Sequence, residues 1–206
     1  MIRKWCTLGA FQLCLFAAVA DADIFEPDLP GGTMYHLVFL SDSKDWAGPG
    51  ELSFYDGVVT GDAAADSDLA TLTWKIIGST DVTTAKEHTD IQGPVYRIDG
   101  RPVADSEDDF WDGSLQNPIN ITAGGDRNVD AKVWTGSSSG GGKGVCGTTD
   151  GTTPCALGRP DFAGETVYGD SSATSDKWIV DGEEDLFSNL RYYAISEPIL
   201  IEVLYV

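Results

Sequence analysis

The chain has 206 residues, 42% of them hydrophobic, and carries a formal net charge of −20 at pH 7. A chain of this length predicts one domain that buries its core without a metal or many disulfides. The negative charge argues against nucleic acid and anionic membranes as partners, because like charges repel. Solubility is the simplest explanation of the charge, and a salty or calcium-rich medium would screen the self-repulsion.

Residues 1–22 are predicted to be a secretory signal peptide. Arg3 and Lys4 precede an apolar run, and small-x-small cleavage sites follow at Ala18-Val19-Ala20 and Ala20-Asp21-Ala22. A buried N-terminal helix is the alternative, but the uninterrupted apolar run fits a signal peptide better. Cleavage after Ala20 removes two of the 13 basic residues and none of the 33 acidic ones, which leaves a net charge of −22. We therefore expect a secreted or cell-surface protein with no membrane segment in the mature chain.

Two cysteines, Cys146 and Cys155, are left after this cleavage. In an oxidising compartment they are predicted to close a small disulfide ring, which contributes roughly 2–3 kcal/mol in the loop-entropy model. A zinc site is the alternative, but neither C-x-x-C spacing nor nearby histidines support it.

The hydrophobic pattern predicts two helices and several short strands. Residues 23–33 form an extended acidic leader, residues 34–200 the domain, and residues 201–206 a tail. Residues 34–40 are apolar at nearly every position, which predicts a buried strand. His36 inside this strand is expected to be a packed residue and not a ligand. A helix is predicted over residues 51–65, although Gly57 and Gly61 weaken it.

The later elements are shorter. A helix over residues 82–88 is predicted, with Thr80 and Asp81 as its N-terminal cap and His88 near its C-terminal end. Residues 137–144 are rich in Ser and Gly and are predicted to form a flexible linker. Pro198 is predicted to end the last strand, before an apolar tail over residues 199–206. The predicted strands cover residues 72–77, 94–98, 132–135, 161–167, 178–180 and 192–195.

Four tryptophans are predicted to be core anchors: Trp74, Trp111, Trp134 and Trp178. Phe110 and Trp111 follow an acidic run, so the rings are expected to enter the core while the carboxylates stay in water. The Asn120-Ile121-Thr122 triplet matches the glycosylation acceptor pattern, which matters only in a eukaryotic host.

The acidic run is also a candidate calcium site, because carboxylates are the hard oxygen ligands that calcium prefers. The residues concerned are Asp105, Glu107, Asp108, Asp109 and Asp112. Their spacing does not match an EF-hand loop, and a solvated acidic surface is the alternative. Asp109 and Asp112 are also a conceivable acid/base pair for glycan hydrolysis, but the sequence shows no nucleophile, base and orienting group together. We expect no enzyme activity and no cofactor other than possible calcium.

Several short motifs carry a resemblance to a known family. They are VYRIDGRPVAD (residues 95–105), FWDG (110–113), NPIN (117–120), VWTG (133–136) and LRYYAISEP (190–198). In this order they resemble exported bacterial proteins of the PEP-CTERM type, and the plan is similar to the endostatin domain of collagens, a variant of the C-type lectin-like fold. The resemblance implies a single α+β domain with a small mixed, mostly antiparallel sheet, two helices and long irregular loops. The histidines of the endostatin zinc site have no counterpart in residues 21–33.

These observations predict a non-enzymatic module of the extracellular matrix or exopolysaccharide. We expect it to bind polysaccharide or a surface protein through the loops between Asp99 and Trp134 and between Ser137 and Asp181, because loops on a rigid scaffold carry most binding sites. A calcium-stabilised structural surface protein is the first alternative, and a glycan hydrolase is the second.

Overall fold

The computed structural model describes residues 24–147, 153–159 and 164–203. The predicted signal peptide, residues 161–163 of a predicted strand and residues 204–206 of the predicted tail lie outside these ranges.

A mixed sheet of nine strands forms the centre of the described chain. The strands are β1 (Met34–Leu40), β2 (Trp74–Ile76), β3 (Val95–Arg97), β4 (Pro102–Ala104), β5 (Lys132–Trp134), β6 (Glu165–Asp170), β7 (Gly182–Asp185), β8 (Arg191–Ser196) and β9 (Ile199–Leu200). The main order is β4-β3-β1-β8-β5-β6-β7, with β2 paired to β8 and β9 paired to β1. Of the strand pairs in the described residues, β1–β3 and β5–β8 are parallel and the others are antiparallel. The prediction of a mixed, mostly antiparallel sheet is therefore confirmed.

Strand β1 has its buried side chains on both faces of the sheet. Leu37 and Phe39 belong to one hydrophobic cluster, while Val38 and Leu40 belong to another. Successive side chains of a strand point to opposite faces, so a strand covered on both sides reads as a continuous apolar run. The double coverage explains why residues 37–40 are all apolar.

Three α-helices are present in the described residues, one more than predicted: α1 (Leu52–Ala63), α2 (Ala85–Thr89) and α3 (Glu107–Phe110). The predicted long helix is confirmed as α1, which buries Tyr55, Val59 and Ala63 along one face. Spacing of four residues places these side chains on the same side of a helix. The class is α+β, as predicted.

Two predicted elements near the C-terminus are wrong. Residues 178–180 were expected to form a strand, but a 3₁₀ turn covers Asp176–Trp178, and the Asp176 carbonyl accepts from the amides of Ile179 and Val180. Pro198 was expected to end the last strand, but Ile199–Leu200 forms β9, which pairs with β1 through Tyr35 and Ile199. Pro198 ends one strand and still allows the chain to turn back onto the sheet.

The four predicted anchor tryptophans are divided between the two clusters. Trp74 and Trp134 lie in the cluster that α1 covers, while Trp111 and Trp178 lie in the cluster on the other face. Trp74 donates from Nε1 to the Leu69 carbonyl at 2.9 Å, and Trp134 donates to the Asp45 carbonyl at 3.1 Å. Burial of the Trp74 and Trp134 indoles is favourable because each ring leaves water and its polar N–H finds a partner.

Candidate functional site

The Ser/Gly-rich segment at residues 136–144, called here the glycine loop, folds back on itself. The Ser138 amide donates to the Gly142 carbonyl at 2.9 Å, and the Gly144 amide donates to the Gly136 carbonyl at 2.8 Å. Ser137 and Lys143 form an antiparallel bridge, and Ser137 is fully buried. The predicted flexible linker is therefore wrong. Glycines permit this tight path, and the sequence does not distinguish it from a spacer.

The N-terminus of α2 joins the glycine loop to the rest of the domain. The Ala85 amide donates to Ser79 Oγ at 2.8 Å, and the Lys86 amide donates to the Gly141 carbonyl at 3.1 Å. Ser79 Oγ also donates to the Gly142 carbonyl at 3.0 Å. The first amides of a helix have no partner within the helix, so the loop and Ser79 supply that partner here.

A capping box also fixes α2. The amide of Glu87 donates to Thr84 Oγ1 at 3.1 Å, while the Thr84 amide donates to the Glu87 carboxylate at 3.0 Å. The hydrogen bond from the Thr84 amide, together with one that the Thr84 hydroxyl donates to the same carboxylate at 2.8 Å, lowers the pKa of Glu87. The predicted cap at Thr80 and Asp81 is wrong. The Thr84-x-x-Glu87 pattern is the sequence signal that identifies the true cap.

An open cleft of about 410 Å³ lies where α2 meets the glycine loop. Its walls are Thr84, Lys86, Glu87, Asp90, Glu107 and residues 140–142. The Lys86 Nζ atom lies 3.8 Å from the Glu107 carboxylate and 3.9 Å from that of Asp108. The Thr84 hydroxyl donates to the Glu87 carboxylate at 2.8 Å, and the Gly141 and Gly142 carbonyls already accept hydrogen bonds. The cleft thus offers mainly the Lys86 ammonium group and the carboxylates of Glu87, Asp90 and Glu107. Such a lining can donate and accept many hydrogen bonds at once.

The FWDG motif supports the floor of this region. Phe110 is fully buried and Trp111 is 6% exposed. Gly141 adopts a φ of +74°, and a Cβ atom added there would lie 2.7 Å from the Trp111 ring. Trp111 and Trp178 have ring centroids 6.0 Å apart, and neither indole N–H has a hydrogen-bond partner among the described residues. The glycine loop therefore rests directly on an aromatic cluster.

Four of the five acidic residues proposed as calcium ligands have carboxylates with separate local partners. Asp109 accepts from the Asp105 amide at 2.7 Å, and Asp112 accepts from the amide and hydroxyl of Ser114 at 2.8 Å. Glu107 and Asp108 face Lys86. In the parts of the chain that the structure describes, one group of three possible ligands lies within 4.8 Å, and it comprises Cys146, Glu165 and Glu183. None of the five acidic residues belongs to that group.

Cys146 and Cys155 form a disulfide, with their Cα atoms 5.3 Å apart. This distance is normal for a disulfide. The bonded sulfur of Cys146 is not a thiolate, so the cysteine, Glu165 and Glu183 do not form a zinc site in this state. A disulfide is consistent with an extracellular protein.

The sequence reasoning missed a buried polar network that joins two of the quoted motifs. Arg97 Nη1 donates to Asn120 Oδ1 at 2.6 Å and to the Pro118 carbonyl at 3.1 Å. Asn120 is 7% exposed, so the acceptor asparagine of the glycosylation pattern lies in the interior. The sequence signal for this network was Arg97, a charged residue within the otherwise apolar VYRI segment.

The two histidines also have structural partners. His36 Nδ1 lies 2.8 Å from the Ser196 carbonyl, and its Nε2 accepts from the Gln92 amide at 3.0 Å. His88 Nε2 lies 3.0 Å from Asp56 Oδ1, which also accepts from the Ile76 amide. His36 is fully buried, as expected for a packed residue.

Comparisons with known proteins leave the family open. No protein-family model matches the chain, and no curated protein shows significant similarity to it. Within the described residues, no helix has both the length and the apolar composition that a membrane crossing requires.

Proposed function

We propose that the protein is a non-catalytic extracellular module that binds glycan at the cleft between α2 and the glycine loop. The observation that carries this proposal is the lining of that cleft, which places the Lys86 ammonium group beside the carboxylates of Glu87, Asp90 and Glu107. A sugar presents hydroxyl groups that both donate and accept hydrogen bonds. A wall with donors and acceptors side by side is matched to such a ligand.

The charge balance favours a neutral glycan over an acidic one. The chain carries 33 acidic and 13 basic residues, and the cleft has three carboxylates to one ammonium group. A polyanionic polysaccharide would be repelled by this field. The open shape suits a polymer whose chain continues beyond the part that is bound.

The proposed fold relationship is a C-type lectin-like or endostatin-like domain of the PEP-CTERM-type exported proteins. The resemblance of the VYRID, FWDG, NPIN and VWTG motifs supports it. The contact of Arg97 with Asn120 gives two of these motifs a shared structural role. The predicted signal peptide and the disulfide support an extracellular location.

Binding of the mature chain to a panel of neutral and acidic oligosaccharides tests the proposal. We expect the wild type to bind neutral oligosaccharides, and Lys86→Gln to reduce that affinity at least tenfold. Lys75→Gln is the matched control, because Lys75 pairs with a single carboxylate, that of Glu197 at 2.7 Å, and does not line the cleft. Absence of glycan binding by the wild type at millimolar ligand would refute the function, and full binding by Lys86→Gln would refute this site.

A further inference from the structure

Trp46 and Phe187 form a stacked aromatic pair on the surface. Their ring centroids are 5.7 Å apart and their planes differ by 8°. Trp46 is half-buried, whereas Phe187 is 64% exposed. The two ring planes are thus nearly parallel, and most of the Phe187 side chain is accessible to solvent.

The backbone around Trp46 holds its indole in place. The Trp46 amide donates to Asp45 Oδ1 at 2.9 Å, and its carbonyl accepts from the Tyr192 hydroxyl at 3.0 Å. The indole lies so close to the Gly48 backbone that any side chain at position 48 would overlap the ring. Gly48 therefore lets the indole lie flat along the chain.

A tight turn after β7 presents Phe187. Its amide donates to Asp185 Oδ1 at 2.9 Å, and the Ser188 amide donates to the Asp185 carbonyl at 2.8 Å. The Ala47 amide donates to the Leu186 carbonyl at 2.8 Å, which ties the two segments together beside the rings. The pair is thus organised before any ligand arrives, which lowers the entropic cost of binding.

Phe54 shows that exposure alone does not produce such a surface. Its side chain is 40% exposed on α1, but its ring stands at 89° to that of Tyr55, in an edge-to-face contact. Single exposed apolar residues are normal on protein surfaces. Phe187 differs from Phe54 because a nearly parallel ring lies beside it and because a larger part of its side chain is exposed.

We propose that Trp46 and Phe187 form a stacking platform for the pyranose ring of a neutral glycan. The electron-rich face of an aromatic ring attracts the weakly positive C–H groups on the flat side of a sugar ring. The inference rests on the proposed glycan-binding function but places a contact at a surface separate from the cleft. One phenyl face matches one sugar ring, whereas a stable protein interface buries about 800 Å² on each partner.

The neighbouring charges define the ligand class. Asp45 and Asp185 flank the rings in sequence and hold the amides of Trp46 and Phe187. Carboxylates beside the platform accept hydrogen bonds from sugar hydroxyls and repel anionic sugars. Binding at the platform should therefore depend little on ionic strength.

The test uses maltohexaose, cellohexaose and xylohexaose as probes, with calorimetry on the mature chain. Phe187→Ala should weaken binding at least fivefold relative to the wild type. Phe187→Trp should keep binding near the wild-type level, because it retains an aromatic ring. Phe54→Ala is the matched control and should leave binding unchanged. In protein labelled with 5-fluorotryptophan, the ¹⁹F resonance of Trp46, assigned by Trp46→Phe, should shift on addition of the bound probe.

The outcomes separate the platform from the cleft. Binding that depends on Lys86 but survives Phe187→Ala overturns the platform and leaves the proposed function in place. Binding that depends on Phe187 but survives Lys86→Gln supports the platform and overturns the cleft. If the wild type binds none of the three probes, the platform for neutral pyranoses is overturned, while the oligosaccharide panel decides the broader function.

Discussion

Arg97 and Asp99 form a bidentate ion pair in the interior of the domain. Nε lies 2.9 Å from Oδ1 and Nη2 lies 2.6 Å from Oδ2. The two side chains are 1% and 4% exposed. Burial raises the pKa of Asp99, but the hydrogen bonds and charge of Arg97, helped by Arg127, lower it by more, so the net pKa lies below its ordinary value. The pair places a charged cluster between strand β3 and the NPIN segment.

Breaking this pair should destabilise the domain strongly. Asp99→Asn leaves the Arg97 guanidinium buried without its counter-charge, and we expect a loss of about 3–5 kcal/mol in the free energy of unfolding. Arg127→Gln is the control, because Arg127 is 59% exposed and lies 3.7 Å from the same carboxylate. A surface contact of this kind is worth about 1 kcal/mol or less. Urea unfolding measures the free energy of unfolding of both variants, and equal losses of stability would contradict a buried ion pair.

Acid should weaken the fold through His36. Nδ1 donates to a carbonyl and Nε2 accepts from an amide, so the bonded ring is neutral. Burial lowers the pKa of His36 below its ordinary value of 6.5, although the Ser196 carbonyl and nearby carboxylates partly oppose the shift. Below pH 6.5 the unfolded state therefore binds more protons than the folded state. The His36 contribution is complete above pH 6.5 and is lost as the pH falls from there through the folded-state pKa.

Urea unfolding at several pH values between 7.5 and 5 checks this dependence. The wild type should lose stability across the range, and His36→Gln, which does not titrate, should show a flatter profile. Parallel profiles for the two proteins would show that another group is responsible.

Helix α1 should become more stable when its glycines are replaced. A Cβ atom at Gly57 or at Gly61 would meet no atom within 4 Å. Gly57→Ala and Gly61→Ala should each raise the free energy of unfolding by up to about 1 kcal/mol, because alanine loses less backbone entropy in a helix. Gly141→Ala should instead destabilise, since its positive φ and the Trp111 ring exclude a side chain. Thermal unfolding distinguishes the stabilising replacements from the destabilising one. A higher melting temperature for Gly141→Ala would contradict the close contact with Trp111.

The disulfide should stabilise the domain by a modest amount. Cys146 and Cys155 are nine positions apart, and replacement of both by serine should cost roughly 2–3 kcal/mol in the loop-entropy model. Dithiothreitol should lower the melting temperature of the wild type and leave that of the double variant unchanged. An effect of the reductant on the double variant would point to a cause other than the disulfide.

Calcium should leave the melting temperature unchanged, because Asp109 and Asp112 already accept local hydrogen bonds and the five acidic residues do not converge. Calorimetry in millimolar calcium and in EDTA measures this directly. If calcium raises the melting temperature and Asp109→Asn abolishes that rise, the result would instead support the alternative of a calcium-stabilised surface protein.

Local sequence patterns predicted an element correctly where one short-range interaction determines its structure. The nearly continuous apolar run at residues 34–40 predicted β1, and the roughly helical spacing of apolar residues such as Tyr55 and Val59 predicted α1. The Thr84-x-x-Glu87 capping box was equally readable, but the cap was predicted at Thr80 and Asp81 instead. Helix α3 was missed because four residues within an acidic run give no periodicity.

The sequence by itself determined the α+β class, the buried strand, the main helix and the cysteine pair available for a disulfide, because hydrophobic period and residue spacing act over a few positions. Only the tertiary structure decided the pairing of Arg97 with Asn120, the path of the glycine loop over Trp111 and the stacking of Trp46 on Phe187. These contacts join segments that are 23 to 141 positions apart, and the energy of such a contact depends on a three-dimensional path that no local pattern specifies.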